Sequence, residues 1–344
     1  MSAASPAPPG PARSSTRTGL VRAAQIALGA ALVTYLLGSG QLDLTALATV
    51  LDRWPWWLAA NGTMAGVILA TTLRWHLLLC VHPIAIRLRD TASLVLMGWC
   101  LNQVSPGATG GDIAKGLTLA SEHRAQWPAA VLSIVLDRVL GVATLITMVA
   151  CAAVVFHSTL RASPLLEVLA SFAILGVLGM AAGVAVLLWF PERWRPREAT
   201  LRRIPGWDRS LRIREALATY RRFPGSVLRA SVCGLLLHVC NVLTAVLLAC
   251  ALFGPDVPLR AVSAVVPMIL LAAGVPITPF GNAGVFEATY AELLLQVGVS
   301  GGALLGLLHR SVSWTWALVG AGVFAFRRFG ARPEAPPRGE GVSL

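Results

Sequence analysis

LNQVSPGATGGDIAKG, Leu101 to Gly116, interrupts a chain that is otherwise apolar. It sets a proline, four glycines, an aspartate and a lysine between two oily runs. A plain helix through lipid does not carry such a segment. Irregular backbone is tolerated at membrane depth only where protein shields it or a water-filled cavity meets it. The stretch therefore predicts a helix broken at Pro106, whose two short arms enter and leave on one side.

The flanks make the case for a membrane. The chain has 344 residues, 56% hydrophobic and 13% charged. Soluble domains average about 25% charged residues. Six apolar runs, about 20–38, 56–79, 128–156, 164–190, 226–252 and 301–327, approach the ~20 residues needed to cross a bilayer. Two more, about 91–120 and 260–298, are apolar but broken. The expected fold is all-α: a polytopic membrane protein with six full spans and two re-entrant helical hairpins.

Basic residues orient it. The net charge is +12, and ten arginines fall between Arg193 and Arg222. A nucleic-acid partner is not needed to explain them, because cytoplasmic loops concentrate Lys and Arg. With Arg13, Arg17 and Arg22 inside, non-crossing hairpins keep the loop 191–225 inside too. Arg74, Arg87, Arg89, Lys115 and Arg124 are assigned to the cytoplasmic side on the same rule. Residues 1–18 and 329–344 read as disordered cytoplasmic tails around one transmembrane domain, 19–328. Trp207 to Arg222 reads as a helix with Trp207, Leu211, Leu217 and Tyr220 toward the interface. The six cysteines form no CxxC or CxxH pair and read as packing residues.

The broken pattern occurs twice. SPGATGGD, Ser105 to Asp112, and TPFGNAGVFE, Thr278 to Glu287, each give hydroxyl–proline, glycines, then a carboxylate. The helix after each carries an arginine at similar depth, Arg138 and Arg310. This spacing predicts an internal duplication, about 56–156 and 226–327. Topology makes the halves inverted, a recurring transporter design.

The chemistry follows from these residues. An arginine near mid-bilayer costs at least ~2.5–3.5 kcal/mol unless it meets a partner or a polar interior. Arg138 and Arg310 have two readings, weighted equally. They receive an anionic headgroup, for which a guanidinium fork is suited, or they bridge to Asp112 and Glu287. Gly107, Gly110 and Gly111 after Pro106, and Gly281, Asn282 and Gly284 after Pro279, free backbone N–H groups for an anion at a half-helix N-terminus. Lys115, the single lysine in the chain, joins this set. Asn102, Gln103, Asn282, His238 and Asn241 are expected around one shared cavity. For His238 and Asn241 an interhelical hydrogen bond is favoured, and Gly179 to Gly183 reads as a helix-packing GxxxG. GGDIAKG is not a Walker A motif, since Lys115 is followed by Gly116. HExxH and Cys/His zinc spacings are absent from the sequence, so no enzyme, metal or cofactor is expected.

At these residues the chain resembles the flippase-type membrane domain of the lysylphosphatidylglycerol synthase/flippase family. The resemblance rests on LRWHLLL (Leu73 to Leu79), on Asn102, Pro106, Gly111, Asp112 and Lys115, and on LDRVLG (Leu136 to Gly141). It continues through Pro279, Gly281, Gly284 and Glu287 to Arg310, and spans about residues 56–327. His76 departs from the pattern, in which a second arginine is common. The chain is expected to be a bacterial inner-membrane protein, with both termini cytoplasmic on the basic-residue rule. The resemblance implies movement of a phospholipid or polyprenyl-phosphate-linked headgroup between leaflets, with membrane lipids as partners. The soluble aminoacyl-transfer domain of full-length synthases is missing from this sequence. Alternatives are a membrane transferase using Asp112 and Glu287 on a lipid-linked sugar, or a scaffold for a lipid-modifying enzyme.

Overall fold

A computed structural model describes residues 46–105, 110–122, 126–189, 219–275, 278 and 282–330, with five isolated positions between Ala27 and Gly38. The run 20–38 as a span, both tails and most of the basic loop lie outside the described residues. So do Pro106, Gly107, Pro279 and Gly281.

The described chain is helical throughout. Its helices are α1 (Ala46–Asp52), α2 (Trp54–Leu79), α3 (Leu88–Val104), α4 (Gly110–Glu122), α5 (Trp127–Val155), α6 (His157–Leu160), α7 (Pro164–Trp189), α8 (Pro224–Phe253), α9 (Leu259–Ala273), α10 (Val285–Leu295) and α11 (Gly302–Gly330). Prolines start α2, α5 and α8 within their first two positions, where a missing N–H is harmless. Gly254, at φ 63°, ends α8, a left-handed turn that glycine takes without a Cβ penalty.

Four helices are long and apolar enough to cross a membrane: Trp54–Leu79, Trp127–Val155, Pro164–Ala182 and Pro224–Asp256. The architecture is all-α and polytopic. The sixth expected span is α11, which has the length but is not among those four. Its polar side chains face other helices instead of lipid. Ser311 accepts from Trp57 Nε1 at 3.1 Å, and Ser313 Oγ accepts from Gln103 Nε2.

The arms of the broken regions are short. At ~1.5 Å per residue, α3 is about 25 Å long and α10 about 16 Å, below the ~30 Å hydrocarbon thickness. Helices α2 and α8 form the central pair, joined where Thr63 and Thr244 hydroxyls meet at 2.8 Å. The hairpins then pack in matching ways. Each second arm lies on the long helix that follows it, α4 on α5 and α10 on α11. Each first arm crosses to the other half, α3 onto α11 and α9 onto α5.

Glycine permits two of these contacts. A Cβ on Gly111 would stand 2.0 Å from Gly98 O, and one on Gly320 2.1 Å from Leu96 O. The GxxxG expectation is corrected at its first glycine, since Gly179 has open space there. In α7 it is Gly176 that meets Ile146, at 3.1 Å.

Tyr220 is corrected as well. It is not at an interface but buried, donating from its hydroxyl to Leu78 O at 3.0 Å. His82 packs edge-on against its ring at 4.9 Å. Burial holds the His82 imidazole below its usual range and raises the Tyr220 phenol.

Candidate functional site

The first site is built on α4. The helix opens at Gly110, so Asp112 falls in its first turn, where a carboxylate meets the positive helix end. Asn102 Oδ1 accepts the Gly111 N–H at 2.8 Å and ties that turn to α3. Asp112 is shared by two cations. Lys115 Nζ lies 2.8 Å from Oδ1, and Arg138 from α5 binds Oδ2. Lys115 is buried, with its ammonium 5.0 Å over the Trp75 ring. The Arg138 side chain is 53% exposed.

A second ion pair lies beside this one. Arg74 binds Asp137 through two hydrogen bonds, 2.7 and 3.1 Å, with both residues buried. Arg74, assigned to the cytoplasmic side of its span, lies inside the helix bundle. Sequence reasoning missed the pair because it read Arg74 as topology and Asp137 as a neighbour of Arg138. The available signal was two opposite charges, each deep in an apolar run. His76, where the family pattern has arginine, hydrogen-bonds Thr91 through Nδ1 at 3.0 Å and ties α2 to α3.

These groups line one cleft of about 280 Å³, together with Asn102, Gly141 and His238. Arg74, Lys115 and Arg138 face Asp112 and Asp137, three cations against two carboxylates. The cleft carries one positive charge in excess.

The second site is built on the start of α10. Asn282 and Gly284 take positive φ, 60° and 82°. Asn282 accepts the Thr278 N–H at 3.0 Å and donates to Ala273 O and Val275 O, each at 2.7 Å. It serves the hairpin turn. Glu287 Oε2 accepts the Gly284 N–H at 2.9 Å, and the same carboxylate binds Arg310 through both oxygens. Arg310 also donates to Asn282 O at 3.1 Å and lies 5.1 Å from the Phe286 ring centre. Both members of the pair are buried. Next to it, the Tyr290 hydroxyl meets His309 Nδ1 at 2.7 Å.

Among the described residues, those expected around one cavity line two. Arg310, His309, Gln103, Asn241 and Ser313 line a separate space of about 150 Å³, while Asn102 and His238 belong to the first cleft. Trp99 borders both, with its indole N–H on Ser313 O at 3.2 Å. Asn102 and Gln103, adjacent in sequence and about a quarter-turn apart on α3, reach different cavities, Asn102 the first and Gln103 the second. His238 makes the interhelical hydrogen bond, Nε2 to Gly141 O at 3.2 Å, whereas Asn241 bonds its own helix at Leu237 O. Among the described residues no group of three or more His, Cys, Asp or Glu could hold a metal.

Broken helices that bring buried charges to clefts inside a bundle of apolar spans define an integral membrane protein with a polar interior. The chain belongs to the family described as the lysylphosphatidylglycerol synthase TM region, whose model matches residues 22–322. No curated protein and no solved structure matches it.

Proposed function

We propose that this protein is a lipid translocator. It moves an anionic phospholipid or polyprenyl-phosphate-linked headgroup between leaflets of a bacterial inner membrane, without ATP hydrolysis by this chain. One observation carries the reading. Asp112 is held by two cations, one buried and one half exposed, in a cleft with a positive excess. A phosphate entering beside Arg138 competes with Asp112 for the guanidinium, while Lys115 keeps the carboxylate compensated. Arginine suits this exchange because its planar fork binds carboxylate and phosphate alike.

Family membership supports a lipid-related role. The matching way the two hairpins pack supports a repeat of two halves, and the distribution of basic residues supports hairpins entering from opposite faces with both termini cytoplasmic. Such symmetry supplies the two access states that transport needs. The transferase alternative has less support, because Asp112 lines the first cleft while Glu287 lines neither described cavity, and each is already paired with arginine. The protein is not an enzyme in this account.

Reconstitution tests the reading. Liposomes containing the pure protein are expected to expose headgroup-labelled phosphatidylglycerol across the bilayer faster than protein-free liposomes. Equal rates for every anionic lipid, with product formed from a lipid-sugar donor, would favour the transferase instead.

A further inference from the structure

We propose that the first cleft selects an anionic headgroup bearing an uncharged hydroxyl donor, and that His238 is the residue that reads that donor. The proposal rests on the translocator reading and names the substrate class for the same cleft.

The argument begins with an orphan. His238 is 7% exposed and forms part of the cleft wall. Its Nε2 faces Gly141 O at 3.2 Å. A carbonyl only accepts, so in the neutral ring Nε2 carries the hydrogen and Nδ1 is left as an acceptor. Nδ1 is buried and has no hydrogen-bond partner. Buried polar atoms are normally satisfied, and leaving one without a partner costs about 1–3 kcal/mol. An acceptor held that way rewards a ligand that brings a donor.

The other polar side chains of this wall that the structure describes each have a partner. Asp112 holds Lys115 and Arg138, Asp137 holds Arg74, and Asn102 Oδ1 holds the Gly111 N–H. Thr71 turns its hydroxyl onto Val67 O at 2.7 Å. Among the described residues of this wall, His238 Nδ1 is thus the buried side-chain acceptor with no hydrogen-bond partner at all.

Charge then decides the kind of donor. Ammonium and hydroxyl groups both donate, but an ammonium enters against the excess positive charge of Arg74, Lys115 and Arg138. A hydroxyl brings no charge. The preferred ligand pairs a phosphodiester at Arg138 with a hydroxyl at His238. An aminoacylated headgroup is disfavoured, whatever relatives of this membrane domain carry.

The test uses three lipids with identical acyl chains, measured by retention on detergent-purified protein in native mass spectrometry. Phosphatidylglycerol and phosphatidylethanol carry the same phosphodiester charge and differ in hydroxyls. Lysyl-phosphatidylglycerol adds ammonium groups. The wild-type protein is expected to retain phosphatidylglycerol about tenfold better than phosphatidylethanol, and better than the lysylated lipid. His238→Phe is expected to bring the first ratio to about one. His238→Gln restores it, since an amide can donate to Gly141 O and still present an oxygen.

Equal wild-type retention of phosphatidylglycerol and phosphatidylethanol overturns the proposal without any variant. So does best retention of the lysylated lipid, or an unchanged ratio in folded His238→Phe. Arg138→Ala separates this proposal from the reading beneath it. Loss of all three lipids supports the cleft as the anion site. Unchanged retention of all three overturns the headgroup reading itself, and the wild-type ratio judges His238 on its own.

Discussion

Asp112–Arg138 and Glu287–Arg310 come from the same sequence pattern and end in different environments. Arg310 is 5% exposed and binds a carboxylate that also caps α10, along with a backbone carbonyl. Arg138 is 53% exposed and shares its carboxylate with Lys115. The Glu287–Arg310 pair fastens a hairpin to the helix that follows it. The Asp112–Arg138 pair leaves a cation facing a cleft. A repeated motif marks where charges enter a membrane protein, and the neighbours of each copy decide whether it holds the fold or meets a ligand.

The largest effect expected from this contrast is at Glu287. Glu287→Ala leaves Arg310 buried without its carboxylate and removes the cap on Gly284 N–H, and breaking a buried pair costs about 3–5 kcal/mol. Thermal unfolding of detergent-purified protein should show a large drop in midpoint. A wild-type midpoint would mean that the second pair is not what fastens α10. Next is Gly111→Ala, whose Cβ would stand 2.0 Å from Gly98 O. Forcing α3 and α4 apart is expected to cost about 1–3 kcal/mol and to disturb the cleft between them. Arg138→Ala sits at the other end of the comparison. A solvated ion pair contributes about 0–1 kcal/mol, so its unfolding midpoint should stay near wild type.

How much of this was legible beforehand follows from the kinds of signal involved. The broken helices could be read because Pro and Gly interrupt an apolar run in one dimension. The pairings Asp112–Arg138 and Glu287–Arg310 could be weighed because the repeat put a carboxylate and an arginine at matched distances. The separation into two cavities could not, since it depends on how packing directs Asn102, Gln103 and Trp99, which lines both. The partner of Arg74 was hidden for a related reason. A basic residue near the end of an apolar run looks like a topology signal until its partner, Asp137, is placed beside it by packing. Tyr220 looked amphipathic in its own segment, and only the approach of Leu78 buries it.

The smallest expected effect lies outside both sites. The folded protein holds His82 below its usual pKa by burial. The unfolded chain binds its proton first, so stability is complete above about pH 6.5 and declines as pH falls below it. Unfolding midpoints measured from pH 7.5 to 5 should fall, and His82→Phe should flatten that slope. An equal slope in the variant would place the pH response elsewhere.

The central claim is that the headgroup is met at Arg138 and not at the buried Arg310 pair. The most direct measurement is the initial rate of transbilayer movement of headgroup-labelled phosphatidylglycerol in proteoliposomes holding equal amounts of folded wild-type or Arg138→Ala protein. The account predicts a rate reduced about tenfold or more, as expected when a charge-assisted contact to phosphate is lost, with an unfolding midpoint close to wild type. A wild-type rate in folded Arg138→Ala protein would contradict it.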